Sequence, residues 1–152
     1  MGTPARRRFI SVLAGLAAAP LWPGRAAHAQ DDPFAPLVRK ITGGAPVNSG
    51  RVTVDTPRLA DNGHSVPLKV SVASPMTAAD HVRSITLLSG RNPRPLMATF
   101  HLGPKAGRPE VATRVRLNGS QRVLALAQLS DGSYWSGSAE VEVTESACLD
   151  AS

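Results

Sequence analysis

Beyond Gly50 the apolar residues recur at every second position, and this period limits the possible folds more than any other feature of the chain. Val66, Leu68, Val70 and Val72 alternate with Lys69 and Ser71, and Val111, Thr113, Val115 and Leu117 alternate with Arg114 and Arg116. Ala139, Val141 and Val143 alternate with Glu140 and Glu142. Successive side chains of a strand point to opposite faces, so each pattern describes a strand with one buried and one wet face. Residues 51–55, 82–88 and 96–102 are shorter candidates. The run 122–129, Arg-Val-Leu-Ala-Leu-Ala-Gln-Leu, is apolar on both faces and suits a central strand. The face carrying Leu124 and Leu126 is a candidate surface for a partner.

Turn chemistry separates these runs: Asp61-Asn62-Gly63, Ser89-Gly90, Asn92-Pro93, Gly103-Pro104, Asn118-Gly119 and Asp131-Gly132. About seven short strands with no helical pattern between them predict an all-β, two-sheet antiparallel sandwich, with an up-and-down barrel as the alternative. A short helix precedes it over residues 30–44. Asp32 is its expected N-cap and Pro33 stands in the first turn, where a missing N–H costs nothing. Phe34, Leu37, Val38 and Ile41 make one apolar stripe, expected to dock on the chain's own domain, and Gly43-Gly44 offers a left-handed stop.

Residues 1–29 have the form of an export signal. Arg6-Arg7-Arg8-Phe9-Ile10 opens a moderately apolar run that ends near Trp22, and Ala27-His28-Ala29 supplies a small-x-small exit. The run is shorter than the roughly 20 apolar residues of a spanning helix and is interrupted by Pro20 and Pro23. The pair Arg6 and Arg7 points to the twin-arginine route, which delivers folded proteins to the periplasm. Removing this segment takes Arg6, Arg7, Arg8 and Arg25 from the 17 basic residues while all 11 acidic ones remain. The formal charge of +6 falls to +2 with those four gone, and no basic run interleaved with aromatics is left to bind nucleic acid.

A single cysteine, Cys148, stands near the C-terminus. In an oxidising compartment it has no partner within the chain, so it is a reactive group, an intermolecular link, or a small buried hydrophobe. Burial is disfavoured so close to a terminus. His28, His64, His81 and His101 have neither HxxxH spacing nor a CxxC to complete a metal site, so neither a metal nor another cofactor is expected. A cysteine on a mobile tail also lacks the fixed hydrogen bond to a base that nucleophilic catalysis requires. It suits the opposite role, that of a substrate arm which enters other enzymes' active sites and carries a sulfur-bound group.

Several blocks together carry a family resemblance. Asp61-Asn62-Gly63-His64-Ser65-Val66-Pro67-Leu68 is followed by Ser74-Pro75-Met76-Thr77-Ala78-Ala79-Asp80-His81-Val82, then Asn92-Pro93-Arg94-Pro95 and Ala98-Thr99-Phe100-His101-Leu102-Gly103-Pro104. Ser130-Asp131-Gly132-Ser133-Tyr134-Trp135-Ser136 and Val141-Glu142-Val143-Thr144 close the series. In this order, over most of residues 44–148, they resemble SoxY, the carrier subunit of the bacterial sulfur-oxidising system. The resemblance implies an immunoglobulin-like β-sandwich over 45–143 and a carrier tail over 144–152, with sulfur attached covalently at Cys148. It implies a SoxZ-like sandwich subunit as heterodimer partner, a haem enzyme that conjugates thiosulfate, and a hydrolase that releases sulfate. The chain would then be a carrier and not an enzyme, with a SoxY-like binding subunit bearing a vestigial thiol as the alternative. The family's arm ends in Gly-Gly-Cys-Gly-Gly, whereas this chain reads Glu145-Ser146-Ala147-Cys148-Leu149-Asp150-Ala151-Ser152.

Overall fold

A computed structural model describes residues 32–145. The export segment with Arg6 and Arg7, and the stretch 146–152 with Cys148, lie outside the described residues. Two sheets pack face to face. The larger holds β1 (Val47–Ser49), β9 (Tyr134–Glu145), β8 (Gln121–Leu129), β5 (Val82–Ser89) and β6 (Leu96–His101) in that order, and β3 (Leu59–Asn62) also pairs with β9. The smaller holds β2 (Val52–Asp55), β4 (Val66–Val72) and β7 (Glu110–Val115) in that order. The sandwich is therefore as expected, and the barrel is excluded. Two pairings depart from a purely antiparallel plan, because β1 and β3 both run parallel to β9 on the same edge.

The alternation seen in the sequence is what fills the space between the sheets. Val66, Leu68, Val70 and Val72 point inward from β4 and meet Val82, Ile85 and Leu87 of β5, Val123, Ala125 and Ala127 of β8, and Val141 of β9. Each inward Val or Leu removed from water contributes on the order of 1.5–3 kcal/mol, and this cluster dominates the stability. Gly137 belongs to the inward face of β9, opposite Ala125. A Cβ there would sit 2.3 Å from the carbonyl oxygen of Val52, so the absence of a side chain is what lets β2 cross close over β9.

The chain itself covers part of the second face of β8. Leu126 is only 2% exposed, and the cavities on this side are lined by residues of α1 (Ala35–Thr42) together with Leu124 in one and Leu126 in the other. The docked helix thus covers Leu126, while Leu124 stays half-buried beside it. Phe34 anchors that helix. Its ring is fully buried against Gly90, with the Arg122 guanidinium 4.9 Å from the ring centre.

The helix is shorter than the range 30–44, and its N-cap is Phe34 instead of Asp32. Asp32 lies a turn earlier: its carbonyl accepts from the Ala35 amide at 2.9 Å, and its carboxylate accepts from the Phe34 amide and from Arg122. Gly43, at φ 65°, ends the helix in the left-handed conformation expected of it.

Candidate functional site

The route toward Cys148 leaves the sandwich at the end of β9, which is tied down on both sides. On the β3 side Asn62 pairs with Glu145, and the Gly63 amide donates to the Glu145 carbonyl at 2.7 Å. The Thr144 hydroxyl donates to the Asp61 carbonyl. On the other side the Val143 amide donates to the Ser120 hydroxyl at 2.9 Å. Gly63 also links the two sheets, because its carbonyl accepts from the Leu117 amide at 2.8 Å. The strand therefore holds Thr144 and Glu145, two residues that the sequence pattern assigned to the tail.

The consequence for the thiol is one of reach. Cys148 follows Glu145 by three residues, and a chain spans at most about 3.6 Å per residue. Three extended residues span at most about 11 Å, measured from Glu145, which stands at the end of the sandwich formed by residues 61–65 and 116–120.

The histidines do not assemble there. His64 is at this end, with its amide donating to Asn62 Oδ1 at 3.2 Å. His81 and His101 are at the opposite end: the His81 amide donates to Ser130 Oγ at 3.1 Å, and His101 stands opposite Ser84 where β5 begins. Among the described residues no three His, Cys, Asp or Glu side chains come together as metal ligands.

Asp131 lies at that far end and has a perturbed acidity. The Ser133 hydroxyl donates to its Oδ1 at 2.7 Å and the Ser133 amide at 2.9 Å, and these bonds hold its carboxyl below the usual value. Ser133 Oγ in turn accepts from Trp135 Nε1 at 3.0 Å, and Arg51 lies 5.2 Å from the Trp135 ring centre. This cluster closes the β8–β9 turn, at the opposite end of the sandwich from Glu145.

Asn62, Gly63 and Thr144 fall in blocks that carry the family resemblance, but the sequence assigned no positioning role to them or to Ser120. Asp61-Asn62-Gly63 is legible as a turn, but nothing local shows that the residues before it pair in parallel with β9.

The family model for sulfur oxidation protein SoxY matches residues 38–148. No curated protein matches the chain by sequence. Among solved structures, the sulfur carrier protein SoxY from Chlorobium limicola f thiosulfatophilum is 24% identical, with a TM-score of 0.62 over 73% of this chain and 96% of that one. A superoxide reductase (neelaredoxin) from Ignicoccus hospitalis is 18% identical, with a TM-score of 0.57 over 64% of this chain and 94% of that one. A superoxide reductase from Nanoarchaeum equitans is 12% identical, with a TM-score of 0.53 over 63% and 100%. At these identities the structural likenesses show a shared sandwich, which hosts different functions.

Proposed function

Because the chain belongs to the SoxY family of sulfur oxidation proteins, we propose that it is a sulfur carrier which holds its cargo covalently on Cys148. The observation that carries this reading is where the family match ends: it runs to residue 148, the position of the chain's single cysteine. The anchored exit of β9 supports it. A carrier arm works when the domain is rigid up to the point of departure and the thiol lies a few residues beyond.

The chemistry needs a soft nucleophile and partner enzymes. Joining Cys148 Sγ to the terminal sulfur of thiosulfate releases one proton and two electrons, and the haem of a partner enzyme accepts the electrons. Hydrolysis of the bond to the sulfonate group then releases sulfate and leaves a persulfide on Cys148. An unperturbed thiol near pKa ~8.5 is only a few per cent thiolate at neutral pH, so activation falls to the partner. A SoxZ-like sandwich subunit completes the working unit as a heterodimer.

Two experiments test the reading. Iodoacetamide should alkylate Cys148 rapidly in the native protein; a thiol that reacts only after denaturation would favour a binding subunit with a vestigial thiol. Delivery to the periplasm through the twin-arginine route should depend on the guanidinium pair, so replacing Arg6 and Arg7 by Lys should strand the precursor in the cytoplasm. Unchanged periplasmic yield would contradict the route.

A further inference from the structure

β6 and β7 are each hydrogen-bonded on one side only, and they are the edges of different sheets. Between them lies a cleft of about 400 Å3. Buried Val115 and half-buried Met97 and Ala98 line it, together with the exposed Arg94, Arg114 and Arg116. No carboxylate lines the cleft, and none of these arginines pairs with a carboxylate of the described residues. Three cations around one cleft repel one another, and an anion between them would relieve that repulsion.

The arginines are also held in place. Arg114 Nε donates to Ser65 Oγ at 2.6 Å and its Nη2 donates to the Ser65 carbonyl at 3.0 Å, which fixes the guanidinium plane and leaves further N–H groups free. The loops that carry Arg94 and Arg116 are locked together through Asn92. Its Nδ2 donates to the Arg116 carbonyl at 2.8 Å, and its Oδ1 accepts from the Asn118 amide at 2.8 Å and from Gln121 Nε2 at 3.1 Å. Gln121 Oε1 accepts from the Arg91 amide at 3.1 Å and from the Ser89 hydroxyl, and both Gln121 and Ser89 are buried. A fully satisfied network of this kind holds its loops in one arrangement, so little ordering remains to be done when a ligand arrives.

We propose that the β6–β7 cleft is a binding site for a small tetrahedral oxyanion, a group of the sulfate, sulfonate or phosphate type. Guanidinium forks match such oxygens in pairs and bind them more strongly than neutral donors do. The site needs only described residues and stands whether or not Cys148 carries sulfur. The anion has two possible sources: free in solution, or carried covalently on Cys148.

The full chain with Cys148→Ser separates site from cargo. Sulfate, thiosulfate and phosphate are titrated against chloride at constant ionic strength, and the arginine Nε–Hε signals are followed by NMR. The expected result is a saturable shift of Arg94, Arg114 and Arg116. In an Arg94→Gln, Arg116→Gln variant the affinity should fall about tenfold or more, as the loss of charge-assisted bonds requires. Arg83→Gln, on β5 at the far end, should change nothing. Shifts that never saturate, that spread evenly over all arginines, or that survive the double variant overturn the site. Adduct-bearing protein with Cys148 intact then identifies the source: the three signals are already shifted without added anion if the cargo occupies the cleft, and respond only to added anion if they do not. The mass of the adduct is read separately, so the carrier reading and the cleft fail independently.

Discussion

The amide of Gly63 donates to the carbonyl of Glu145 at 2.7 Å, which extends the ladder between β3 and β9 to the last described residue of the chain. A backbone bond of this kind protects its amide only while the strand end stays paired. The Gly63 amide should therefore exchange with deuterium as slowly as other amides of β3, and Ser120→Ala should accelerate exchange at Val143, whose amide loses its hydroxyl acceptor. Removing that bond should cost about 0.5–1.5 kcal/mol locally. Fast exchange at Gly63 in the unmodified protein would mean that the anchor frays.

Gly137 gives a steric test of the packing between β2 and β9. A methyl group there would meet the Val52 backbone, which cannot swing aside as a side chain would. Gly137→Ala should lower stability by about 1–3 kcal/mol in urea unfolding, the usual range for overpacking a core. Gly103→Ala, where a Cβ would meet nothing within 4 Å, is the matched control and should shift the midpoint little.

Asp131 supplies a pH-dependent term. Its carboxyl is held below the ordinary carboxylate value chiefly by the Ser133 hydroxyl and then by the Ser133 amide. A carboxyl depressed in the folded state binds its proton more readily when unfolded, so its stabilisation is complete above the unfolded value and fades as pH falls below it. Asp131→Asn should lower the thermal midpoint at neutral pH, and the difference from the unmodified protein should shrink as pH is taken below about 4. A difference that stays constant down to pH 2 would show that the ionised form is not what matters.

The strands of the core were legible because burial on one face forces period two. Val66–Val72 coincides with β4, and the 122–129 run sits inside β8 at the centre of its sheet. What sequence could not show was set by distant partners. β1 and β3 are short and owe their strand character to parallel pairing with β9. Tyr134–Ser138, the first half of β9, contains Gly137, which breaks the apolar alternation because β2 passes over it. The double-sided pattern at Leu124 and Leu126 was equally consistent with a helix or a partner, since apolar burial does not say what covers it. Cys148 was conspicuous as a lone thiol, whereas the arginine cleft depends on β6 and β7 meeting across two sheets.

The residues flanking Cys148 predict a kinetic effect. Leu149 is bulkier than glycine, and Asp150 adds negative charge two residues from Cys148, whose sulfur would meet anionic thiosulfate in the proposed carrier role. Replacing Leu149 and Asp150 together by Gly should raise the rate of loading by a thiosulfate-conjugating enzyme. Asp150→Asn alone should recover part of the gain, and that part should diminish with added salt because exposed charges are screened. An unchanged rate in both variants would show that the enzyme tolerates this arm as it stands.

The carrier assignment is tested most directly by the intact mass of the protein isolated from cells oxidising thiosulfate, recorded with and without reductant. The account predicts extra mass corresponding to sulfur or sulfonated sulfur on Cys148, removed by reductant and absent from Cys148→Ser, with the thermal midpoint of that variant almost unchanged. A chain that always shows its unmodified mass, or one whose only reducible species is a disulfide-linked pair of chains, would contradict it.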